Sequence, residues 1–237
     1  MNPYQKLLNR KRKWTPVQTN AGTCKAGAEE AIHRALALRH MELPVGDFIT
    51  DALSSDVPNN ARDILLSNVK DEENHDLALG YIANAYGVDK TAEAEALRLK
   101  AAWEAHPDHT ITKALVAERA IFFVLLPFFR FNGDAGMRTV SADISRDEQI
   151  HVATNSLVHT ELGYNISPSL DKLRKATINW VMQPLGDHAD KYLNKKFWLD
   201  SSDRLMYEGK APQLAETKAA RMPAFFEHSN VNLPQYA

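Results

Sequence analysis

Three observations predict an all-α protein. Apolar residues recur at three- and four-residue steps over long stretches, the spacing that keeps them on one helix face. These stretches close at helix-stop residues, with Gly87, Gly163 and Gly209 each following a periodic run. No stretch alternates with the period of two that marks a strand, and no internal repeat or low-complexity segment interrupts the pattern.

Residues 1–20 are polar and basic, with Trp14-Thr15-Pro16 as their strong anchor, and read as an extended N-terminal arm on the body. From Ala21, the residues Ala28, Ile32, Ala35, Leu36 and Leu43 follow helical spacing. Val45, Phe48, Ile49 and Leu53 continue it beyond Pro44, so a first helix kinked at the proline is expected to reach about Ser54. Ser55-Asp56-Val57-Pro58-Asn59-Asn60 reads as a turn and cap. A second helix follows from about Ala61 to Tyr86, then a short helix or lead-in over Thr91 to Glu104, broken at His106-Pro107-Asp108. A third long helix is expected from about Thr110 to Phe131, kinked at Pro127, and a fourth from about Arg138 to Leu162. Two more should cover roughly Pro168 to Met182 and Asp187 to Glu208. Lys210 to Ala237 reads as an irregular tail with room for one short helix.

The totals set bounds. At 237 residues the chain suits a single domain with a substantial core. The formal charge of -2 shows no basic excess, so nucleic acid is not an expected partner. One cysteine, Cys24, rules out an internal disulfide framework and any cysteine-built zinc or iron–sulfur site. That fits a reducing compartment, and no secretory h-region is visible near Met1, so a cytoplasmic protein is expected. The longest apolar run, Ala120 to Phe129, is too short to span a bilayer, so no membrane association is expected.

The chemistry concentrates in the helices. Glu148-Gln149-Ile150-His151 lies mid-way along the fourth, and Glu72-Glu73-Asn74-His75 near the centre of the second. Residues three apart share a helix face, so each pair can aim a carboxylate and an imidazole at one point. A single Glu-x-x-His is more often a solvated face. Two of them, with Glu118 inside the apolar stretch Ala114 to Phe123, match a known arrangement. Carboxylate-bridged dimetal bundles take one Glu from each of two helices and Glu-x-x-His from each of the other two. Four carboxylates balance two divalent ions, so the loaded site can be buried without large net charge. The first helix must give the remaining carboxylate, and it offers Glu42 or Glu30, the latter within a third Glu-x-x-His ending at His33. Glu72 lies about 13 residues past the turn, roughly 20 Å along its helix, and an antiparallel partner should place its ligand as far before it. Glu42 fits if the first helix runs through Pro44, and Glu30 fits if it stops there. The continuing periodicity favours Glu42.

Ile144-Ser145-Arg146-Asp147-Glu148-x-x-His151 resembles the signature of the ribonucleotide reductase small (β) subunit. Glu118-Arg119-Ala120-Ile121-Phe122-Phe123, Glu72-x-x-His75, Asp203-Arg204-Leu205-Met206-x-x-Gly209 and Phe225-Phe226-Glu227 resemble further segments of that family in the same order. The resemblance implies a ferritin-like four-helix bundle core with additional C-terminal helices. It also implies a dimetal-carboxylate centre that activates oxygen and supplies a one-electron oxidising equivalent to a cysteine of a separate large (α) subunit. Ribonucleotides would there become deoxyribonucleotides. The implied metal ligands are Glu42, Glu72, His75, Glu118, Glu148 and His151. Asp147 would orient His75 and link it to Trp14, and Tyr236 would stand as a relay tyrosine in the tail. A homodimer is implied too.

Two departures qualify the resemblance. The family's radical tyrosine lies four residues after the helix-2 histidine, where this chain has Leu79. The oxidising equivalent would then rest on a manganese/iron site, or a nearby tyrosine such as Tyr81 would take over. Carboxylate and imidazole donors suit manganese/iron, di-iron and dimanganese pairs alike. The stretch after Glu227 is shorter than the family's tail, and Tyr236 stands off the family's spacing from Phe225-Phe226-Glu227. Two other classes compete: a stand-alone dimetal oxidase with a cavity near Phe122, Phe123, Leu125 and Phe128, and a ferritin-like iron store.

Overall fold

The computed structural model describes residues 2–55 and 57–214, and every ordered element among them is helical. Helix α1 (Pro3–Leu8) opens the chain, with Pro3 in its first turn and the Asn2 side chain accepting from the Gln5 amide. This corrects the expected fully extended arm. Tyr4 and Leu7 bury their side chains and anchor the arm ahead of Trp14, and only residues beyond Leu8 run irregularly.

The expected first helix is two helices. Helix α2 (Glu29–Ala37) passes through a tighter 3-10 turn, Leu38–Met41, into α3 (Glu42–Leu53). The break precedes Pro44 instead of sitting at it. Pro44 falls in the first turn of α3, where a missing N–H leaves no helical bond unmade. The apolar period survives the break, with Ile32, Leu36, Val45, Phe48 and Ile49 all buried.

Helix α4 (Arg62–Tyr86) ends at Gly87, whose φ of 98° suits a residue without a Cβ. Helix α5 (Lys90–Glu104) takes the helical alternative of the expected short helix or lead-in, and the Asp89 side chain caps it by accepting from the Ala92 amide. Its Trp103 is fully buried and donates to Thr177 Oγ1 at 3.1 Å. Helix α6 (Thr110–Ala117) widens into a π turn at Glu118–Phe122 before α7 (Phe123–Asn132) resumes. The irregularity expected at Pro127 therefore lies earlier, and α7 continues through the proline. Helix α8 (Ala135–Glu161) starts three residues ahead of expectation because Asp134 caps it, accepting from the Met137 amide. Helix α9 (Pro168–Met182) matches its expected bounds, with Ser167 as cap. Helix α10 (Lys195–Glu208) begins later than expected, since residues 187–194 form a loop with a short 3-10 turn at Lys191–Leu193.

Helix α3 packs against α4 and α6, and α8 packs against α4, α6 and α7, closing a four-cornered core. The short links between α3 and α4 and between α7 and α8 make those neighbours antiparallel. Helices α9 and α10 lie against α6, α7 and the π turn, while α5 covers α2 and α9. This is a ferritin-like helical bundle with added C-terminal helices. No described helix is long and apolar enough to cross a membrane.

On two of the core helices the inward stripe changes chemistry without changing period. Along α4 it runs Ile64, Asn68, Glu72, His75, Leu79 and Ile82, and along α8 it runs Ile144, Glu148, His151, Asn155 and Val158, all buried. The apolar ends hold the bundle shut, each large side chain contributing about 1.5–3 kcal/mol. The polar middle forms the site.

Candidate metal centre

The 3-10 turn hands the chain to α3 so that Glu42, its first residue, faces inward at 1% exposure. Helix α4 contributes Glu72 and His75 one turn apart, α8 contributes Glu148 and His151, and the π turn opens on Glu118. All six side chains are buried. They gather into two groups that share Glu72: Glu42, Glu72, His75 and Glu148 in one, and Glu72, Glu118 and His151 in the other. Within each group the donor atoms lie within 4.8 Å of one another.

Both imidazoles turn Nδ1 toward the carboxylates. His75 Nδ1 is 3.3 Å from Glu72 Oε2, 3.3 Å from Glu148 Oε1 and 3.6 Å from Glu42 Oε2. His151 Nδ1 is 3.0 Å from Glu72 Oε1, 3.6 Å from Glu118 Oε1 and 3.8 Å from Glu148 Oε1. Yet both Nδ1 atoms, both oxygens of Glu72 and Glu148, Glu42 Oε2 and Glu118 Oε1 lack an aligned hydrogen-bond partner. A buried polar atom without a partner costs about 1–3 kcal/mol, more if charged, so such a cluster is built for something else. Cations satisfy carboxylate oxygens and imidazole nitrogens together, and the residues present fit a pair of metal ions.

The electrostatics agree. Burial, with Glu72 and Glu148 nearby, pushes the Glu42 carboxyl well above its usual range. Burial raises Glu118 to about 8 and also raises Glu148. Burial works the same way on Glu72, but His151 and His75 outweigh it and hold that carboxyl low. Burial alone would lower both imidazoles. Asp147, Glu148, Glu42 and Glu72 instead raise His75, and Glu72, Glu148, Asp71 and Glu118 raise His151. Without metal the cluster holds protons in place of cations.

The outward ring nitrogens are held as well. His75 Nε2 faces Asp147 Oδ2 at 3.4 Å, and the Trp14 indole N–H donates to the same oxygen at 2.6 Å. Trp14 lies over the His75 ring with centroids 6.2 Å apart and 23° between planes. Those two hydrogen bonds hold the Asp147 carboxyl below its usual range against the effect of burial. Asn155 donates to Glu118 Oε2 at 2.6 Å, fixing that carboxylate from behind. Sequence reasoning missed Asn155, and only its place one turn after His151 on the inward stripe signalled it.

The structure does not bring Glu30 to the cluster. Glu30 is exposed and bonds Arg34 at 2.8 Å, while His33 packs on the Tyr86 ring. Leu79 is buried one turn beyond His75, and Tyr81 is partly exposed. Phe225-Phe226-Glu227 and Tyr236 lie outside the described residues.

The π turn itself was not legible. Within it the Ala120 carbonyl accepts from Ser202 Oγ of α10 at 2.6 Å, while Arg119 donates to the Leu205 carbonyl at 2.8 Å. The Arg119 guanidinium reaches Gly209, whose φ is 68° and where an added Cβ would stand 2.8 Å from Nη2.

Fold and site together define a ferritin-like bundle with a buried carboxylate–histidine cluster able to bind a metal pair. No family model and no curated protein matches the chain. A solved structure from Bacillus halodurans, named provisionally as a class I ribonucleotide reductase, is similar in fold. Its TM-score is 0.58 at 15% identity, over 96% of this chain and 94% of that one.

Proposed function

We propose that the chain is the small, radical-generating subunit of a class I ribonucleotide reductase. The observation that carries this reading is the run of hydrogen bonds from Trp14 through Asp147 to His75, which ties an arm residue to the buried cluster. Iron storage has no use for such a run. The fold likeness to the Bacillus halodurans protein is consistent with it.

In this reading Glu42, Glu72, His75, Glu118, Glu148 and His151 hold a manganese/iron or di-iron pair, with dimanganese also compatible. Once bound, the pair supplies oxygen activation and a one-electron oxidising equivalent. The chain's residues position and shield it. The apolar ends of the α4 and α8 stripes keep water from the cluster. Asp147 holds the His75 ring so that Nδ1 faces inward, and Trp14 offers an oxidisable indole within hydrogen-bond contact of that carboxylate. Leu79 cannot store a radical, which leaves the metal pair as the store and Tyr81 as the alternative. The partner is a large (α) subunit carrying the substrate cysteine, and the small subunit acts as a homodimer.

The test is nucleotide reduction by the purified, metal-loaded chain, with and without a class I large subunit. Reduction only when both are present supports the proposal. Oxidation of a small molecule by the chain alone would assign a stand-alone dimetal oxidase and overturn it. Spectroscopy after oxygen exposure decides the store, since a lasting tyrosyl signal would replace the metal-stored equivalent.

A further inference from the structure

The two ligand motifs are each preceded by an aspartate: Asp71 before Glu72-x-x-His75, and Asp147 before Glu148-x-x-His151. In the fold the aspartates serve crosswise. Asp147 on α8 faces His75 of α4, and Asp71 on α4 accepts from His151 Nε2 of α8 at 2.9 Å. The resemblance names only the first of these pairs.

The N-terminal arm meets both aspartates. Trp14 donates to Asp147, and three residues earlier the Lys11 ammonium forms an ion pair with Asp71 Oδ2 and donates to Asn68 Oδ1 at 2.8 Å. The Lys11 side chain is only 9% exposed. A lysine so enclosed needs partners for its charge, and these two acceptors provide them. Lys11 stands just beyond α1, its amide closing the last turn on the Leu8 carbonyl at 3.1 Å, and its side chain reaches α4 from there.

We infer that Asp71, held by Lys11, positions His151 as a metal ligand, so that the arm is a two-point latch with one contact behind each histidine. The inference rests on the dimetal reading of the cluster. A ligating imidazole needs its other N–H engaged to fix tautomer and ring orientation, and loss of such a partner commonly weakens metal binding 10- to 100-fold. Asp71 engages His151 Nε2 and leaves Nδ1 free toward Glu72 and Glu118. At 13% side-chain exposure Asp71 can turn to solvent once Lys11 no longer holds it. Asp71 and Lys11 are positioning residues, since neither touches the donor cluster except through His151.

The experiment measures manganous-ion stoichiometry and release to a chelator in the full chain and in Asp71→Ala, Asp71→Asn, Lys11→Met and the Lys11→Met/Asp71→Ala double variant. Circular dichroism and melting confirm that each is folded. Asp71→Ala should keep one tightly held metal while the second is held about 10- to 100-fold more weakly. Asp71→Asn, whose carbonyl still accepts from Nε2, should recover most of the loss. Lys11→Met should weaken the same single metal by a smaller factor. The double variant should be no worse than Asp71→Ala, because Lys11 acts through Asp71. Equal loss of both metals, no loss, or a tighter second metal in Lys11→Met would overturn the inference. A folded wild type that binds no metal pair would instead remove the dimetal reading beneath it.

Discussion

Glu72 turns one carboxylate oxygen to each histidine: Oε2 lies 3.3 Å from His75 Nδ1, and Oε1 lies 3.0 Å from His151 Nδ1. Glu42 meets only His75, and Glu118 only His151. The cluster therefore divides into two donor groups that share Glu72, with Glu148 Oε1 also facing both imidazoles. Glu72→Ala should abolish binding of both metals, whereas Glu42→Ala or Glu118→Ala should leave about one per chain. Inductively coupled plasma analysis after desalting reads the difference. Glu30→Ala should leave the count unchanged, since that residue is on the surface.

Trp14→Phe keeps an aromatic ring over His75 and removes the donor to Asp147. Metal content should stay at the wild-type level while the oxygen-dependent step slows by about 10-fold or more, the usual scale for losing a partner behind a ligand. Stopped-flow absorbance follows the step. An unchanged trace would reduce Trp14 to a hydrophobic anchor.

Metal binding should be coupled to protons in a definite direction. Glu118, raised to about 8, and the raised His75 and His151 are protonated at neutral pH in the metal-free protein. Ligation requires the deprotonated forms, so each metal must displace protons, and affinity should rise as pH increases toward and through about 8. Calorimetry at pH 7 in two buffers of different ionisation enthalpy counts the protons released. A heat independent of buffer would contradict the protonation pattern.

Glu93 clamps α5 to the turn before Glu42. It pairs with Arg39 at 2.5 Å and with His40, and these partners hold its carboxyl below the usual value despite partial burial. A depressed carboxyl stabilises the fold above its unfolded pKa and loses that contribution as pH falls through the folded value. Glu93→Gln should therefore lower the melting temperature near neutrality by about 2 °C, and the gap from wild type should close as pH falls through the depressed folded value. Thermal melts across that range provide the check.

What the sequence made legible depended on period. Glu72, His75, Glu148 and His151 could be placed because three-residue spacing on a helix admits one geometry. Glu118 could be placed because an acid amid Leu115, Val116, Ile121 and Phe122 has few surfaces to reach. Between Glu42 and Glu30 the decision rested on apolar spacing across Pro44. The structure keeps that spacing but moves the break to Leu38–Met41, where no proline or glycine announces a 3-10 turn. Asp71 and Lys11 were hidden for another reason. Their contacts join positions 80 and 60 residues apart, to His151 and Asp71 respectively, and local pattern carries no information on such pairings. The doubled Asp-Glu-x-x-His was visible and the resemblance gave Asp147 to His75, but nothing gave Asp71 to His151.

The widened turn at Glu118–Phe122 has a mechanical consequence. Because Ser202 holds the Ala120 carbonyl and Arg119 holds the Leu205 carbonyl, α10 cannot slide along the bundle without dragging the backbone that carries Glu118. A disturbance at the outer, late-sequence end of the molecule thus has a short lever onto one edge of the buried donor set. The opposite edge, at Glu42, is geared separately to α5 through Glu93.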